Sequence, residues 1–427
     1  MLNGLLTVKS PQALTPVTEP VPPQIVAQTA ELIAQVRAEG ETALRALSHT
    51  FGDLERIDAP LVIERDALAD AYQSLNVEAR QVLERTAEHI RAFAEAQRAC
   101  LTELSTAIPG GSAGHTLAPV DAAGCYAPGG RFPLPSSVLM TAITAQVAGV
   151  EEITVASPKP TSVTLAAAYV AGAKRLLTVG GAQAIAALAY GVGVPAVNVI
   201  VGPGNQYVTA AKQLVSGVVR IDMLAGPSEL VVLADAHADP GLIAADLIGQ
   251  AEHDPEARPI LVTTAPVLVD QVNRELINQL ETLPTRDIAL SALKSHGVAV
   301  CCASLDEAIA TCDRLAPEHL ELMLEDAEEV APRLKHYGGL FIGSQSAEVF
   351  GDYGLGPNHV LPTGGAARLK GGLSVFDFLR VRTWMRLDKT TARSSEVIAD
   401  VSALARMEGL EGHARSAERR IFSSPNS

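Results

Sequence analysis

Between Ala118 and Ile342 the chain repeats one pattern, short β-branched and aliphatic runs separated by helical stretches of ten or more residues. The runs are Glu152–Ala156, Arg175–Val179, Val197–Val201, Leu230–Leu233, Ile260–Thr263, Val298–Cys302 and Leu340–Ile342. They are apolar throughout instead of alternating, so both faces of each strand need cover, and the intervening helices provide it. The pattern predicts an α/β protein built on two doubly wound, incomplete Rossmann-like parallel-sheet domains. A chain of 427 residues is long enough for about two or three domains with buried cores.

The flanks read differently. Up to about Pro23 the chain is Pro-rich and aperiodic, which predicts an arm over 1–23. Helical spacing follows in Ile25, Val26, Leu32, Ile33 and Val36, with Gly40 as a stop, and Leu44, Leu47 and Phe51 continue it. Val82, Thr86, Ile90 and Phe93 mark a long amphipathic helix from Val77 to about Leu104. After about Leu379 the strands are expected to stop, leaving 379–427 as a charged, mostly helical tail. The expected division groups 24–120 with 235–378 in one α/β domain and sets 121–234 apart as the other.

Composition excludes several classes. With 33 Lys+Arg against 48 Asp+Glu, a net charge of −15, no broad face can neutralise nucleic-acid phosphates. Five cysteines (Cys100, Cys125, Cys301, Cys302, Cys312) without CxxC spacing read as reduced thiols of a cytoplasmic protein. The opening residues MLNGLLTVKSPQ lack the basic and extended apolar regions of an export signal. The longest uncharged stretch, between Arg175 and Lys212, is broken by Gly pairs, Pro195, Pro203, Gln183, Asn198 and Asn205, so no membrane span is expected.

Candidate chemistry gathers at a few motifs. The near match to a dinucleotide fingerprint, Gly191-Val-Gly193-Val-Pro-Ala196, precedes a strand and carries Pro195 where a phosphate-binding helix should begin, so it reads as a helix-to-strand turn. Three other turns combine glycine with a polar or aromatic side chain at a strand end: Tyr126-Ala-Pro-Gly-Gly, Gly180-Gly-Ala-Gln183 and Gly202-Pro-Gly-Asn205. Together they suggest a ligand cleft outside the carboxyl edge of a sheet, although each alone is an ordinary turn. Gln250 and His253 share a helix face at i and i+3. With Asp352, His359 and His413 they make a candidate Zn²⁺ site, against the plainer reading of a solvated face. In Ala316-Pro-Glu318-His319 a carboxylate adjoins a near-neutral base, the pairing that proton removal and water activation require. An exposed Glu-His pair is the alternative.

The segments GPGNQYV, AGPSELVVLAD, QAEHD, APEHLEL, GDYGLGPNHVLPTGG and EGLEGHARSAE, in this order, closely resemble histidinol dehydrogenase from about Val26 to about Glu418. The resemblance implies an NAD-dependent, zinc-containing four-electron oxidation of L-histidinol through L-histidinaldehyde to L-histidine, using two NAD, the last two steps of histidine biosynthesis. It implies Gln250, His253, Asp352 and His413 as ligands of one Zn²⁺ per subunit and Glu318 and His319 as the catalytic pair. Ser228, His359 and Glu408 are implied as substrate contacts, alongside Gln250, His253, His319, Asp352 and His413. Tyr126, Gln183 and Asn205 are implied as NAD contacts. It further implies an intertwined homodimer in which His413 reaches the neighbouring subunit from the tail, with 121–234 as the NAD domain and the other as the zinc and substrate domain. Ala196, Val199, Asp313, Arg131, Phe132 and Lys370 depart from the expected pattern. A zinc hydrolase using Glu318 to activate water, an NAD-dependent alcohol dehydrogenase of shifted substrate, and a noncatalytic metal scaffold are the competing readings.

Overall fold

The computed structural model describes residues 4–14, 21–129, 132–388 and 392–420. It divides into two compact units, one of Met1–Gln97 with Val120–Phe378 and one of Arg98–Pro119 with Leu379–Ser427. The predicted strand–helix alternation is realised in the larger unit as two six-stranded sheets.

In the first sheet the strands lie in the order Thr7–Lys9, Val298–Cys301, Arg258–Thr263, Glu229–Ala234, His319–Met323, Gly339–Ile342, every neighbouring pair parallel. Glu229–Ala234 is buried along its whole length, as a strand covered on both faces must be. Strand order grows from this central strand in one direction, then reverses with His319–Met323 on its other side. The second sheet runs Val62–Glu64, Arg175–Leu177, Glu152–Ala156, Ala122–Tyr126, Val199–Val201, Arg220–Ile221. It is parallel except for the antiparallel edge strand Val62–Glu64, and it too reverses about a central strand, Ala122–Tyr126.

Three expectations need correction. Part of the presumed arm is a strand, since Thr7–Lys9 pairs with Val298–Val300; residues 1–3 and 15–20 lie outside the described set. Only part of residues 24–120 departs from the expected grouping with 235–378, since Thr86, Ile90 and Phe93 of helix Val77–Ala99 lie by Gly354 and Gly356 of that segment. Val62–Glu64 pairs with Arg175–Leu177, and helices Pro23–Glu39 and Glu41–Thr50 pack on the second sheet's helices, sharing a core of Ile33, Val36 and Leu44 with Ile185 and Leu188. Apolar periodicity had marked those helices without specifying which core receives them. Finally, strands do not stop at Leu379. Leu379–Leu387 is a nine-residue strand, antiparallel to Gly111–Pro119, which in turn pairs with Leu104–Ile108. Its mixed charged and apolar sequence hid it, because almost every side chain is exposed. Two helices, Ala392–Met407 and Glu411–Glu418, complete the smaller unit. Residues 389–391 and 421–427 lie outside the described set.

No disulfide links the cysteines, and Cys125, Cys302 and Cys312 are buried. Among the described residues no helix is long and apolar enough to cross a membrane.

One buried ion pair fastens the second sheet's carboxyl edge. Lys212 pairs with Asp222, and both side chains are inaccessible. Lys212 Nζ donates to the Gly202 carbonyl at 3.0 Å, and Asp222 accepts the Gly202 and Met223 N–H groups at 2.6 Å each. Gly202 itself has φ +114, and a Cβ there would stand 2.0 Å from the Tyr126 carbonyl oxygen, so only glycine fits. Lys212→Met should strand the Asp222 charge and lower stability by ~3–5 kcal/mol, read from the urea midpoint.

Candidate functional site

The candidate catalytic residues meet at the amino edge of the first sheet, beside its reversal point. Ser228 and Glu229 open the central strand, while Glu318 and His319 open the strand next to it. Helix Pro240–His253 follows the central strand and runs back across the sheet, because a helix linking parallel strands must return to where the next one starts. Its last turn, carrying Gln250 and His253, therefore arrives at the same edge.

Ser228 joins these pieces. Its hydroxyl donates to Glu318 Oε2 at 2.6 Å and accepts from Gln250 Nε2 at 2.9 Å. The Glu229 N–H donates to the same Glu318 oxygen at 3.0 Å. Burial nevertheless pushes the Glu318 carboxyl up to about 8, against the opposing pull of these hydrogen bonds. The His319 ring is buried, and its Nδ1 lies 3.2 Å from the Glu229 carbonyl oxygen. A carbonyl can only accept, which assigns the proton to Nδ1 and leaves the lone pair on Nε2. Nε2 has no hydrogen-bond partner and lies 3.9 Å from Asp352 Oδ1. Burial lowers the pKa of His319, keeping the ring a neutral base.

Asp352 ends the short helix Glu348–Asp352. His253 Nε2 stands 3.6 Å from its Oδ2. His253, Asp352 and Glu348 each place one ligand atom within 4.8 Å of the others. The buried Gln250 Oε1 has no hydrogen-bond partner, because the amide's donor end is committed to Ser228. An orphaned buried oxygen one helical turn before His253, which itself stands by Asp352, fits a divalent cation, which these donor types hold well. His359 braces the site: its Nδ1 donates to the Asp352 carbonyl at 2.9 Å, and its Nε2 lies 3.3 Å from Ser137 Oγ. Glu408 and His413 belong to the smaller unit. Both are exposed, Glu408 just past helix Ala392–Met407 and His413 within Glu411–Glu418.

The second sheet carries a separate cleft of ≈ 630 Å³ at its carboxyl edge, and all three glycine turns singled out in the sequence reach it. Tyr126, Gln183 and Asn205 line it. The buried Tyr126 hydroxyl accepts the Gly181 N–H at 3.1 Å. Asn205 also caps helix Gln206–Val215, its Oδ1 accepting from the N–H groups of Tyr207 and Val208. Gly191–Ala196 is the expected helix-to-strand turn, following helix Gly181–Tyr190.

Sequence reasoning missed Glu348, although its i, i+4 spacing to Asp352 was a readable signal. It missed Asp53 as well, which lines the cleft and had no motif around it. Of the departing residues, Asp313 accepts the N–H groups of Lys335 and His336, and Lys370 donates to the Asp222 carbonyl and pairs with Asp377. Val199 is a buried strand residue, Ala196 lies in the turn before it, and Phe132 is partly exposed. Arg131 lies outside the described residues.

The sequence model of the histidinol dehydrogenase family matches residues 19–421. The histidinol dehydrogenase of Thermus thermophilus is 47% identical over 393 residues, covering 91% of this chain and 93% of that one. That of Nitratidesulfovibrio vulgaris is 46% identical over 400 residues, covering 91% of each. The crystal structure of a histidinol dehydrogenase from Elizabethkingia anophelis superposes with a TM-score of 0.90 at 31% identity, covering 99% of both chains.

Ser228→Ala should remove one hydrogen bond that favours the charged Glu318 and orphan the Gln250 donor. We expect a stability loss of ~1–3 kcal/mol from the urea midpoint. The Glu318 pKa should rise further, visible as a displaced carboxyl band in an infrared pH titration.

Proposed function

Because the chain belongs to the histidinol dehydrogenase family, we propose that it oxidises L-histidinol through L-histidinaldehyde to L-histidine, with Zn²⁺ bound and two NAD consumed, as the last two steps of histidine biosynthesis. The observation that carries this reading is the joining of Glu318, Gln250 and Ser228 by hydrogen bonds, beside His319 and the His253–Asp352 pair.

Gln250 Oε1, His253 and Asp352 would hold the metal, with His413 as the fourth ligand. When bound, zinc supplies a Lewis-acid anchor for the substrate's amino and imidazole nitrogens, and NAD supplies the hydride acceptor. The protein's own groups do the proton work. His319 Nε2, neutral and unpartnered, takes the hydroxyl proton as the carbinol hydrogen leaves as hydride. Glu318, in its ionised form, then accepts a proton from water as that water adds to the aldehyde carbon, and the hydrate anion loses a second hydride and releases its hydroxyl proton to solvent, giving the carboxylate. Ser228 holds Glu318 and Gln250 in register through both steps. His359 contributes an imidazole for the substrate, and Glu408 a carboxylate. Tyr126, Gln183 and Asn205 line the cleft that would take NAD.

Cross-subunit ligation by His413 accords with the exposed apolar residues of the smaller unit. Val381, Met385, Leu404 and Met407 are all more than half accessible, Met407 at 83%, and apolar surface of this kind marks a protein interface. An intertwined homodimer acting in the cytoplasm is the assembly we propose.

Purified protein supplied with Zn²⁺ and excess NAD should form two NADH per L-histidinol; no NADH at all would defeat the proposal. A chelator should abolish turnover, and added Zn²⁺ should restore it. Glu318→Gln should impair oxidation of supplied aldehyde ~10²-fold or more, with a smaller loss on the alcohol step, because only the aldehyde needs hydration. Equal loss in both would remove Glu318 from water activation. Mixed dimers of His413→Asn and His253→Asn chains should recover part of the activity that either homodimer lacks.

A further inference from the structure

Helix Gly181–Tyr190 begins at the cofactor cleft. In doubly wound proteins such a helix start offers free backbone N–H groups to a phosphate. Here the first two of those N–H groups are already taken. Gly180 N–H donates to Asp53 Oδ2 at 3.0 Å, and Gly181 N–H donates to the Tyr126 hydroxyl at 3.1 Å. The same Asp53 oxygen accepts from Gln183 Nε2 at 3.1 Å. A carboxylate supplied by the chain thus sits where an anionic ligand would otherwise be held.

The amide of Gln183 has two unlike ends. With Nε2 committed to Asp53, the acceptor Oε1 is left for other company. It lies close over Gly181, whose φ is +63 and where a Cβ would come within 2.9 Å of it. The charge balance points the same way. The described residues lining the cleft include Glu31 and Asp53 and no Lys or Arg. Lys159, at φ +46, lies nearby and its charge favours the ionised form of Asp53, opposing the burial that raises it.

Building on the reading that this cleft takes NAD, we propose that Asp53 is a positioning residue for the cofactor. It occupies the anion seat of the 180–181 turn and fixes Gln183 so that its oxygen accepts from a neutral donor of the dinucleotide, a ribose hydroxyl or the carboxamide NH₂. The dinucleotide phosphates are thereby turned away from this helix start. Asp53 acts through Gln183.

The test measures NAD binding to purified protein by calorimetry, with steady-state kinetics alongside. Asp53→Ala should weaken NAD binding about tenfold, the worth of one well-placed hydrogen-bonding group. It should raise the KM for NAD while kcat at saturating NAD stays within about twofold, as expected when ground-state and transition-state binding are lost together. Asp53→Asn, which keeps an acceptor oxygen, should recover most of the affinity. In a Gln183→Ala background, Asp53→Ala should add no further loss, because a residue acting through a partner has no effect once the partner is gone. Losses that add in the double variant, or a folded Asp53→Ala protein with wild-type NAD affinity, overturn the role. Should Asp53→Ala fail to fold, Asp53→Glu decides: displacing the carboxylate by one methylene should weaken NAD binding, and unchanged affinity overturns the role. Wild-type protein that binds no NAD defeats the functional reading itself, a result separate from failure of the Asp53 variants alone.

Discussion

A single hydroxyl holds together the candidate site at the amino edge of the first sheet. Ser228 is joined to Glu318 from 90 residues away and to Gln250 from 22 residues away, donating to one and accepting from the other. The direction of each bond has a chemical consequence. Giving its proton to Glu318 stabilises that group's charged form, while taking one from Gln250 leaves the amide oxygen as the free end. A side chain with one donor and two lone pairs can do both at once, and alanine or valine can do neither.

Around this bridge the site gathers carboxyl groups away from water. Burial pushes Glu318 and Glu321 up to about 8 and Glu229 to about 7, and it holds Glu348 well above the ordinary carboxylate range. Arg258 faces Glu229 at 3.2 Å and relieves part of this. Nearby carboxylates raise one another's pKa, so several cannot be ionised together without a cation. The metal reading therefore rests on the orphaned Gln250 oxygen and also on the electrostatics of the whole edge. The steadying of Glu318 and the choice of tautomer at His319 come from the same local backbone, since the Glu229 N–H donates to Glu318 while its carbonyl directs the imidazole.

The two sheets use opposite edges. The second places its glycine turns outside the carboxyl ends of its strands, where doubly wound folds ordinarily bind ligands. The first gathers its candidate site at its amino edge, where the helix following the central strand delivers Gln250 and His253 in its final turn. The i, i+3 spacing of those two residues was visible in the sequence, and so was the adjacency of Glu318 and His319. What the sequence did not disclose was that Ser228, Glu229, Glu318 and His319 start neighbouring strands and so stand side by side. Asp53 was still less visible, since it meets Gln183 only because helices 23–39 and 41–50 pack on the second sheet.

Local chemistry explains the rest of the division. Short β-branched apolar runs with no alternation, bounded by turn residues, read as covered strands, and the helical stretches between them as their cover, so the doubly wound architecture was legible from the residues in order. The glycine turns, the Gln250–His253 face and the long motifs that carry the family resemblance were legible for the same reason, each being a property of neighbouring residues. Strand Leu379–Leu387 was not, because an exposed strand needs no apolar pattern and is defined by the partner it hydrogen-bonds. Neither was the packing of helices 23–39 and 41–50 on the second sheet's helices, nor the tie from Ser228 to both Glu318 and Gln250. Those are contacts between segments far apart in the chain, and their free energy depends on strand order and on the burial of whole surfaces, which no short stretch of sequence encodes.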